Sequence, residues 1–324
     1  MKKYPVVAAA FFCLFLLQTM ATAQSTSPAQ QSDTEKKQAL YGKFETTYKT
    51  DTKAAYDAAR EYLDKYSADK DDIVDFLNKW VNSHQKEYWE ITVWNLIYND
   101  ANYPKAFEVG RQVLKGEPEC LRTLVDLGYA GFPATRGGLE NVQAEAIGYA
   151  EHAIKLIEQG QTLPDWAPFQ DKSDTLGWLN FSLGVMNLKT GVDKASPYFF
   201  KALGYPSKVK EYAPVYYYIA ASYEDGPYKK ASEERKKFAG KEETPEGKQA
   251  LESANRTLDH IIDAYARAIA LTTRTDADSQ NAKNQWMARA IELYKFRHDG
   301  SDAGLKDFIA GVLSKPFEPL QDKP

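Results

Sequence analysis

The histidines of this 324-residue chain are the first candidates for metal or acid–base chemistry, and their spacing argues against both roles. No pair has the H-E-x-x-H spacing that places two zinc ligands on one face of a helix. They are scattered along the sequence, at His84, His152, His260 and His298. We therefore predict no metal site and assign the histidines structural or surface positions.

Neighbouring carboxylates are the second candidates, and they occur in strongly charged stretches. A general acid needs an apolar pocket that raises its pKa, and nothing in the sequence marks such a pocket. The pairs are Asp71-Asp72, Glu233-Glu234 and Glu242-Glu243. We predict no catalytic residue and no cofactor, so the chain is interpreted as not being an enzyme. An all-helical enzyme with an unrecognised site stays open as an alternative.

Aromatic side chains are the one compositional excess, with 21 Tyr, 15 Phe and 6 Trp. Most are expected to fill a hydrophobic core. Aromatic rings also offer large and rigid contact areas, which suit the recognition of peptides or sugars. Binding is therefore the chemistry that the composition favours.

The elements that must position these rings are helices. From residue 37 onward, apolar residues recur at intervals of three and four, and no sustained alternation indicates a strand. In the stretch 102–118, small residues share one helix face at Ala106, Gly110 and Val113, and Pro118 follows. Small residues allow a second helix to approach closely, and the proline ends the helix. The same spacing recurs along the chain, so we predict stacked helical hairpins that bury one continuous core.

These residues resemble the tetratricopeptide repeat, whose second helix carries A-x3-F-x2-A followed by Pro. The match is clearest at Ala195, Phe199, Ala202 and Pro206, and the repeat spacing along the chain is uneven. The resemblance implies an all-α, right-handed solenoid of α-hairpins over residues 37–315. The packing positions are Ala55, Ala106, Ala146, Ala195, Phe199, Ala202, Pro206, Tyr216, Ala220, Tyr223, Tyr265, Ala268 and Phe308.

The resemblance also implies a concave face lined by the first helix of each hairpin. If Tyr216 faces its partner helix, Tyr217 is turned about 100° toward that concave face. We expect ligand contacts from Trp178, Tyr217 and Glu224. The predicted function is a non-catalytic interaction or scaffold module that holds a peptide or protein partner of the cell envelope. A carbohydrate- or cell-wall-binding protein on the same scaffold is the alternative.

The N-terminus predicts export. Lys2 and Lys3 precede an apolar run that is too short to span a bilayer, and small residues follow at positions 21–23. We predict a signal peptide over residues 1–23, cleaved before Gln24, and a periplasmic or secreted protein. No other stretch is long and apolar enough to span a membrane.

Composition also indicates a linker and a C-terminal tail, and the net charge does not favour nucleic acid as a partner. Residues 24–36 are polar and predict a disordered linker, and residues 316–324 form a C-terminal tail. After cleavage 39 basic side chains face 45 acidic ones, so the net charge changes from −4 to −6 and does not favour nucleic acid. Cys120 is then the single cysteine, and it is expected in the core.

Overall fold

The computed structural model describes residues 28–240 and 243–320, with side chains from residue 33 onward, and these residues are helical without a β-strand. The predicted all-α class is confirmed. The predicted signal peptide, residues 1–23, lies outside the described residues. The α-helices are α1 (Pro28–Thr47), α2 (Thr52–Tyr66), α3 (Asp72–Tyr98), α4 (Tyr103–Gly116), α5 (Leu121–Arg136), α6 (Gln143–Glu158), α7 (Lys172–Asn187), α8 (Val192–Gly204), α9 (Ala213–Tyr223), α10 (Lys229–Lys236), α11 (Pro245–Leu271), α12 (Ala277–Arg297) and α13 (Leu305–Gly311).

Internal contacts divide the chain into two units, Met1–His84 and Gln85–Pro324, where the sequence predicted one repeat domain. The division falls inside α3. The first unit packs α1 against α2 and places Phe44 in an aromatic core. The Phe44 ring meets the Trp80 ring edge-on at 5.0 Å between centroids.

The linker prediction for residues 24–36 is wrong from residue 28 onward, because α1 begins at Pro28. The Tyr66 hydroxyl donates to the Asp33 carboxylate at 3.3 Å, and Lys37 lies 2.8 Å from the Asp71 carboxylate. Polar composition indicated disorder, but alanine, glutamine, glutamate and lysine are also good helix formers. Contacts with α2 and the start of α3 hold this helix in place.

In the second unit, consecutive helices from α4 to α9 pack on one another, α5 also packs on α7, and α11 packs on α9, α10 and α12. Small residues lie where the helices come closest. A Cβ added to Gly128 would lie 2.7 Å from the Cα of Ala150 on α6. A Cβ added to Gly131 would lie 2.3 Å from the Cβ of Ala146. The α5–α6 pair therefore has the close approach that the small-residue spacing predicted.

The packing positions named from the sequence are buried, with two exceptions. Pro206 is exposed beyond the end of α8, where it follows the last helical turn. Phe308 is 38% exposed, so its predicted core role is wrong. In the short helix α13, Leu305 and the following Val312 take up the buried contacts, which leaves Phe308 beside a surface cavity.

A buried carboxylate connects the start of α7 to the segment after α8. The Ser207 hydroxyl and the Lys208 N–H both donate to Asp174 Oδ1 at 2.8 Å, and the Gln170 N–H donates to Oδ2 at 3.0 Å. Asp174 is itself buried, and its two carboxylate oxygens are satisfied by these three donors.

In residues 28–240 and 243–320, we find no helix with the length and apolar character needed to cross a bilayer.

Candidate ligand-binding site

Aromatic rings from five helices and the segment before α9 form two contacting sets in the second unit, and the rings of Phe181 and Tyr218 connect the two sets. Within the two sets, every ring is half-buried except that of Trp286, which is buried. We call the two sets together the aromatic row. It comprises Tyr98 on α3, Tyr129 on α5, Trp178 on α7, Tyr212 before α9, Tyr217 on α9 and Trp286 on α12.

The first part of the aromatic row runs from α3 to the start of α9. The rings of Tyr98 and Tyr129 are stacked, with 6.0 Å between centroids. Tyr129 meets Trp178 edge-on at 6.1 Å, and Trp178 lies 5.3 Å from Tyr212. Both the stacked and the edge-on arrangements are favourable for aromatic pairs. The helices hold these rings in fixed positions, because each ring has a neighbour on the next element.

The second part of the aromatic row surrounds a cavity of about 590 Å³. Tyr217 stacks on Trp286 with 5.2 Å between centroids and 21° between the ring planes. Tyr212, Tyr217, Tyr218 and Trp286 line the cavity. A cavity of this size, with an aromatic wall, accommodates a side chain or a small ligand.

Positively and negatively charged side chains also line the cavity. Arg136 at the end of α5 is exposed, whereas Arg274 pairs with Asp276 at 2.9 Å. Asp276 caps α12 and accepts from the Ser279 N–H at 3.0 Å. The hydrogen bonds from Ser279 and Arg274 lower the pKa of Asp276 to about 2, so this carboxylate is charged at neutral pH.

Burial affects two tyrosine hydroxyls of the aromatic row. It raises the pKa of Tyr212, with Arg136 nearby as a smaller opposing influence, and it raises the pKa of Tyr129 to about 12. Neutral phenol groups can both donate and accept hydrogen bonds. The cavity therefore offers apolar faces together with polar groups that can bind backbone amides or hydroxyls.

Two of the three ligand-contact residues predicted from the sequence lie in the aromatic row. Trp178 is half-buried, with its ring in contact with those of Tyr129, Phe181 and Tyr212. Tyr217 lines the cavity and is half-buried, whereas Tyr216 is buried.

Glu224, the third predicted residue, forms hydrogen bonds with side chains of two other helices. It begins a π-helical turn, Glu224–Tyr228, that joins α9 to α10. Its carboxylate accepts from the Tyr265 hydroxyl at 2.7 Å and from Arg289 Nε at 2.9 Å. Burial and the hydrogen bond to Glu224 raise the pKa of Tyr265. The carboxylate therefore connects α11 and α12 to the end of α9.

Sequence reasoning missed Tyr212, Trp286 and Arg136. Tyr212 lies four residues before Tyr216, outside the motif positions, and α12 carries no repeat motif around Trp286. A signal existed for Tyr212, since its position immediately before a Pro-containing helix start is typical of a residue held at a helix end. No local signal pairs Trp286 with Tyr217, because they lie on helices far apart in sequence.

The carboxylate of Asp126 is fully buried. Asp126 on α5 accepts from the Tyr98 hydroxyl at 3.1 Å and lies 3.6 Å from Arg122. Burial, partly opposed by Arg122 and Tyr98, raises the pKa of Asp126 to about 7. The hydrogen bond from Tyr98 connects Asp126 to the first ring of the aromatic row, and Asp126 is a candidate for pH-dependent stability.

Within the described part of the chain, one set of three side chains has ligand atoms close enough for a metal ion. The ligand atoms of Glu90, Glu117 and Cys120 lie within 4.8 Å of one another. Lys86 pairs with Glu117 and lies 3.6 Å from Glu90, so its ammonium group already supplies positive charge there. The Cys120 thiol is buried and donates to Glu90 at 3.1 Å. Burial raises the pKa of this thiol, which disfavours the thiolate that a metal ion needs.

Comparison with family models, with curated proteins and with solved structures finds no match to this chain.

Proposed function

We propose that this protein is a non-catalytic interaction module that holds an extended peptide segment of a partner protein along the aromatic row. The observation that supports this function is the row of mostly half-buried rings on α3, α5, α7, α9 and α12, with the cavity of about 590 Å³ beside Tyr212, Tyr217 and Trp286. Peptide segments are recognised through side-chain pockets spaced along a groove, and tyrosine and tryptophan provide rigid contact area.

The larger arrangement belongs to the same proposal. The contact of α5 with both α6 and α7 supports a right-handed solenoid of TPR-like hairpins, in which the first helices form the inner wall. Export through a signal peptide cleaved before Gln24 would place the module in the periplasm or outside the cell. A protein or peptide of the cell envelope is then the expected partner.

The polar side chains in the cavity wall are suited to binding a peptide. Arg136, Arg274 and Asp276 offer both charges around the aromatic faces. The carbonyl and amide groups of a peptide backbone require both donors and acceptors, and this cavity provides them. Tyr212 and Tyr217 both line the cavity, so an apolar or aromatic side chain that entered it would meet aromatic faces.

A carbohydrate ligand is the second candidate, and one observation favours it. Stacked aromatic faces beside hydroxyl, amide and carboxylate groups, here including Ser279 and Gln285, also suit a sugar ring. The two ligand classes are separated by experiment.

The test is selection of random twelve-residue peptides on the immobilised full chain. We expect enriched peptides whose affinity falls at least about tenfold in Tyr212→Ala, because truncating an anchoring aromatic residue costs 2 kcal/mol or more. Tyr198→Ala is the matched control, since Tyr198 is half-buried on α8 and pairs with Glu151 outside the aromatic row. Its effect should stay within about twofold.

Failure to enrich any peptide, or equal losses in Tyr212→Ala and Tyr198→Ala, would contradict the peptide proposal. Titration with chito-, cello- and malto-oligosaccharides supplies the other arm. A saturable change in tryptophan fluorescence that disappears in Tyr212→Ala, without peptide enrichment, would favour the carbohydrate alternative.

A further inference from the structure

A second surface of the same unit carries an extended piece of the chain. Residues 316–320, with the sequence PFEPL, follow α13 without regular structure and lie against α9 and α11. We call them the 316–320 segment. The surface beneath is formed by Tyr216, Tyr223 and Arg267, which we call the α9–α11 groove.

Two backbone contacts hold the 316–320 segment, and neither depends on its side chains. Arg267 Nη2 donates to the carbonyl oxygen of Pro316 at 3.1 Å. The Leu320 N–H donates to the Tyr223 hydroxyl oxygen at 2.7 Å. Any peptide of the same backbone shape could make these two hydrogen bonds.

Side-chain contacts are concentrated at two positions. The Phe317 ring meets the Tyr216 ring edge-on at 5.5 Å, and the Arg267 guanidinium lies 5.5 Å from the centre of the Phe317 ring. Leu320 is half-buried against the same core. The side chains of Pro316, Glu318 and Pro319 are exposed. The segment is thus held by two anchors, which is how short extended peptides are recognised.

The two prolines have the P-x-x-P spacing of extended polyproline-type ligands, which bind to grooves lined by aromatic residues. Proline lacks an N–H group and has a fixed backbone angle. Its presence at Pro316 and Pro319 costs no hydrogen bond here, because the groove uses the carbonyl of Pro316 and the N–H of Leu320.

The groove continues beyond the 316–320 segment. A cavity of about 480 Å³ lies beside Pro316 and Glu318, and Arg256 and His260 also line it. The Arg256 Nε is buried and has no hydrogen-bond partner among the described residues. An acidic side chain entering this cavity would supply the missing acceptor.

We propose that the α9–α11 groove is a binding site for an extended peptide of a partner protein with the pattern proline–aromatic–acidic–proline–aliphatic, and that the 316–320 segment is its resident occupant. The segment competes with the partner peptide, since a groove that is covered most of the time shows a weakened apparent affinity. This site is separate from the aromatic row, because Tyr216 and Tyr217 face different surroundings.

The test uses a fluorescein-labelled peptide with the sequence Lys-Pro-Phe-Glu-Pro-Leu and measures its anisotropy with the full chain. Phe317→Ala combined with Leu320→Ala removes both anchors of the resident segment. We expect this double variant to bind the peptide at least about tenfold more tightly than the unaltered chain. Phe296→Ala combined with Leu313→Ala is the matched control, since both of those side chains are exposed, and it should bind like the unaltered chain.

Two further arms test the specificity of the site. A peptide with alanine in place of phenylalanine should lose binding, and Arg267→Met added to the anchor-free variant should do the same. Tyr212→Ala, in the aromatic row, should leave the affinity for this peptide unchanged, so failure here is distinguishable from failure of the proposed function. Equal affinity of the double variant and the unaltered chain would overturn the proposal.

A second measurement covers the case in which the double variant fails to fold. In the unaltered chain, the peptide at about 1 mM should accelerate hydrogen exchange of the Leu320 N–H, because it displaces the segment. No acceleration would overturn the proposal. A concentration-dependent dimer that Phe317→Ala with Leu320→Ala dissociates would also overturn it, since the occupant would then come from a second copy of this chain.

Discussion

Gly128 on α5 lies against the backbone of Ala150 on α6, and a Cβ at Gly128 would approach the Cα of Ala150 to 2.7 Å. Backbone atoms cannot move aside as a flexible side chain can. The spacing of the α5–α6 pair therefore depends on the absence of one methyl group.

Gly128→Ala should accordingly destabilise the protein by about 1–3 kcal/mol, the cost of overpacking a close helix contact. Gly148→Ala, on the exposed face of α6, is the matched control, since a Cβ there meets nothing within 4 Å. It should stabilise by about 0.5–1 kcal/mol, because alanine is the better helix former. Urea unfolding of both variants measures the two effects, and a neutral Gly128→Ala would contradict the close packing.

Asp174→Ala should lower the free energy of unfolding by about 1–3 kcal/mol, because three partly buried hydrogen bonds lose their common acceptor. These donors belong to Ser207, Lys208 and Gln170. Asp100→Ala, at an exposed position after α3, is expected to stay within about 0.5 kcal/mol of the unaltered chain. Equal thermal melting temperatures of the two variants would argue against the connection between α7 and the segment after α8.

The raised pKa of Asp126 leads us to expect that its contribution to the stability of the protein decreases as the pH rises. Burial raises its pKa in the folded state from 3.8 to about 7, so the folded chain holds a proton that the unfolded chain releases. The corresponding stability is fully present below about pH 4 and is lost as the pH rises through about 7.

Asp126→Asn removes this titration. The variant should resemble the unaltered chain at pH 4 and gain on the order of 4 kcal/mol relative to it by pH 8.5. Denaturant unfolding at the two pH values gives the difference directly, and the contributions of all other groups cancel in the comparison. A constant difference across the range would show that Asp126 ionises at its ordinary pKa.

Glu224 and Arg289 should be energetically coupled. Since 36% of the Arg289 side chain and 17% of the Glu224 side chain are exposed, solvent screens the pair, and we expect a coupling of about 1 kcal/mol. A double-mutant cycle with Glu224→Gln and Arg289→Met measures it. Tyr265→Phe should cost a further 1 kcal/mol or so, because it removes one hydrogen-bond donor to the same carboxylate. Strict additivity of Glu224→Gln and Arg289→Met would rule out this structural role.

The sequence anticipated the helical class and the buried packing positions because both depend on local spacing. Ala106, Ala146 and Ala195 each lie on the same face of their helix as the residues three and four positions further on. Helix geometry alone determines which residues share that face. The prediction of a core position for Phe308 was wrong because α13 is short and Leu305 and the following Val312 make the buried contacts. The helical start of α1 was missed because its anchors, Asp69 and Asp71, lie beyond the next helix.

The candidate site was only half accessible from the sequence. Tyr217 and Trp178 could be chosen by their helix faces and their resemblance to a known repeat. The stack of Tyr217 on Trp286 and the pairing of Glu224 with Arg289 join residues more than sixty positions apart. No short-range pattern encodes such contacts, so a group that is free for ligands cannot be told from one that is already paired.

The buried thiol of Cys120 can report on local opening of the structure around it. Cleavage of the predicted signal segment would remove Cys13, so a maleimide or disulfide reagent would then find a single thiol, immediately before α5. The reagent can reach that sulfur only during transient openings, and its modification rate then reads out how often they occur. Local fluctuations around α4 and α5 can therefore be followed without introducing any foreign probe.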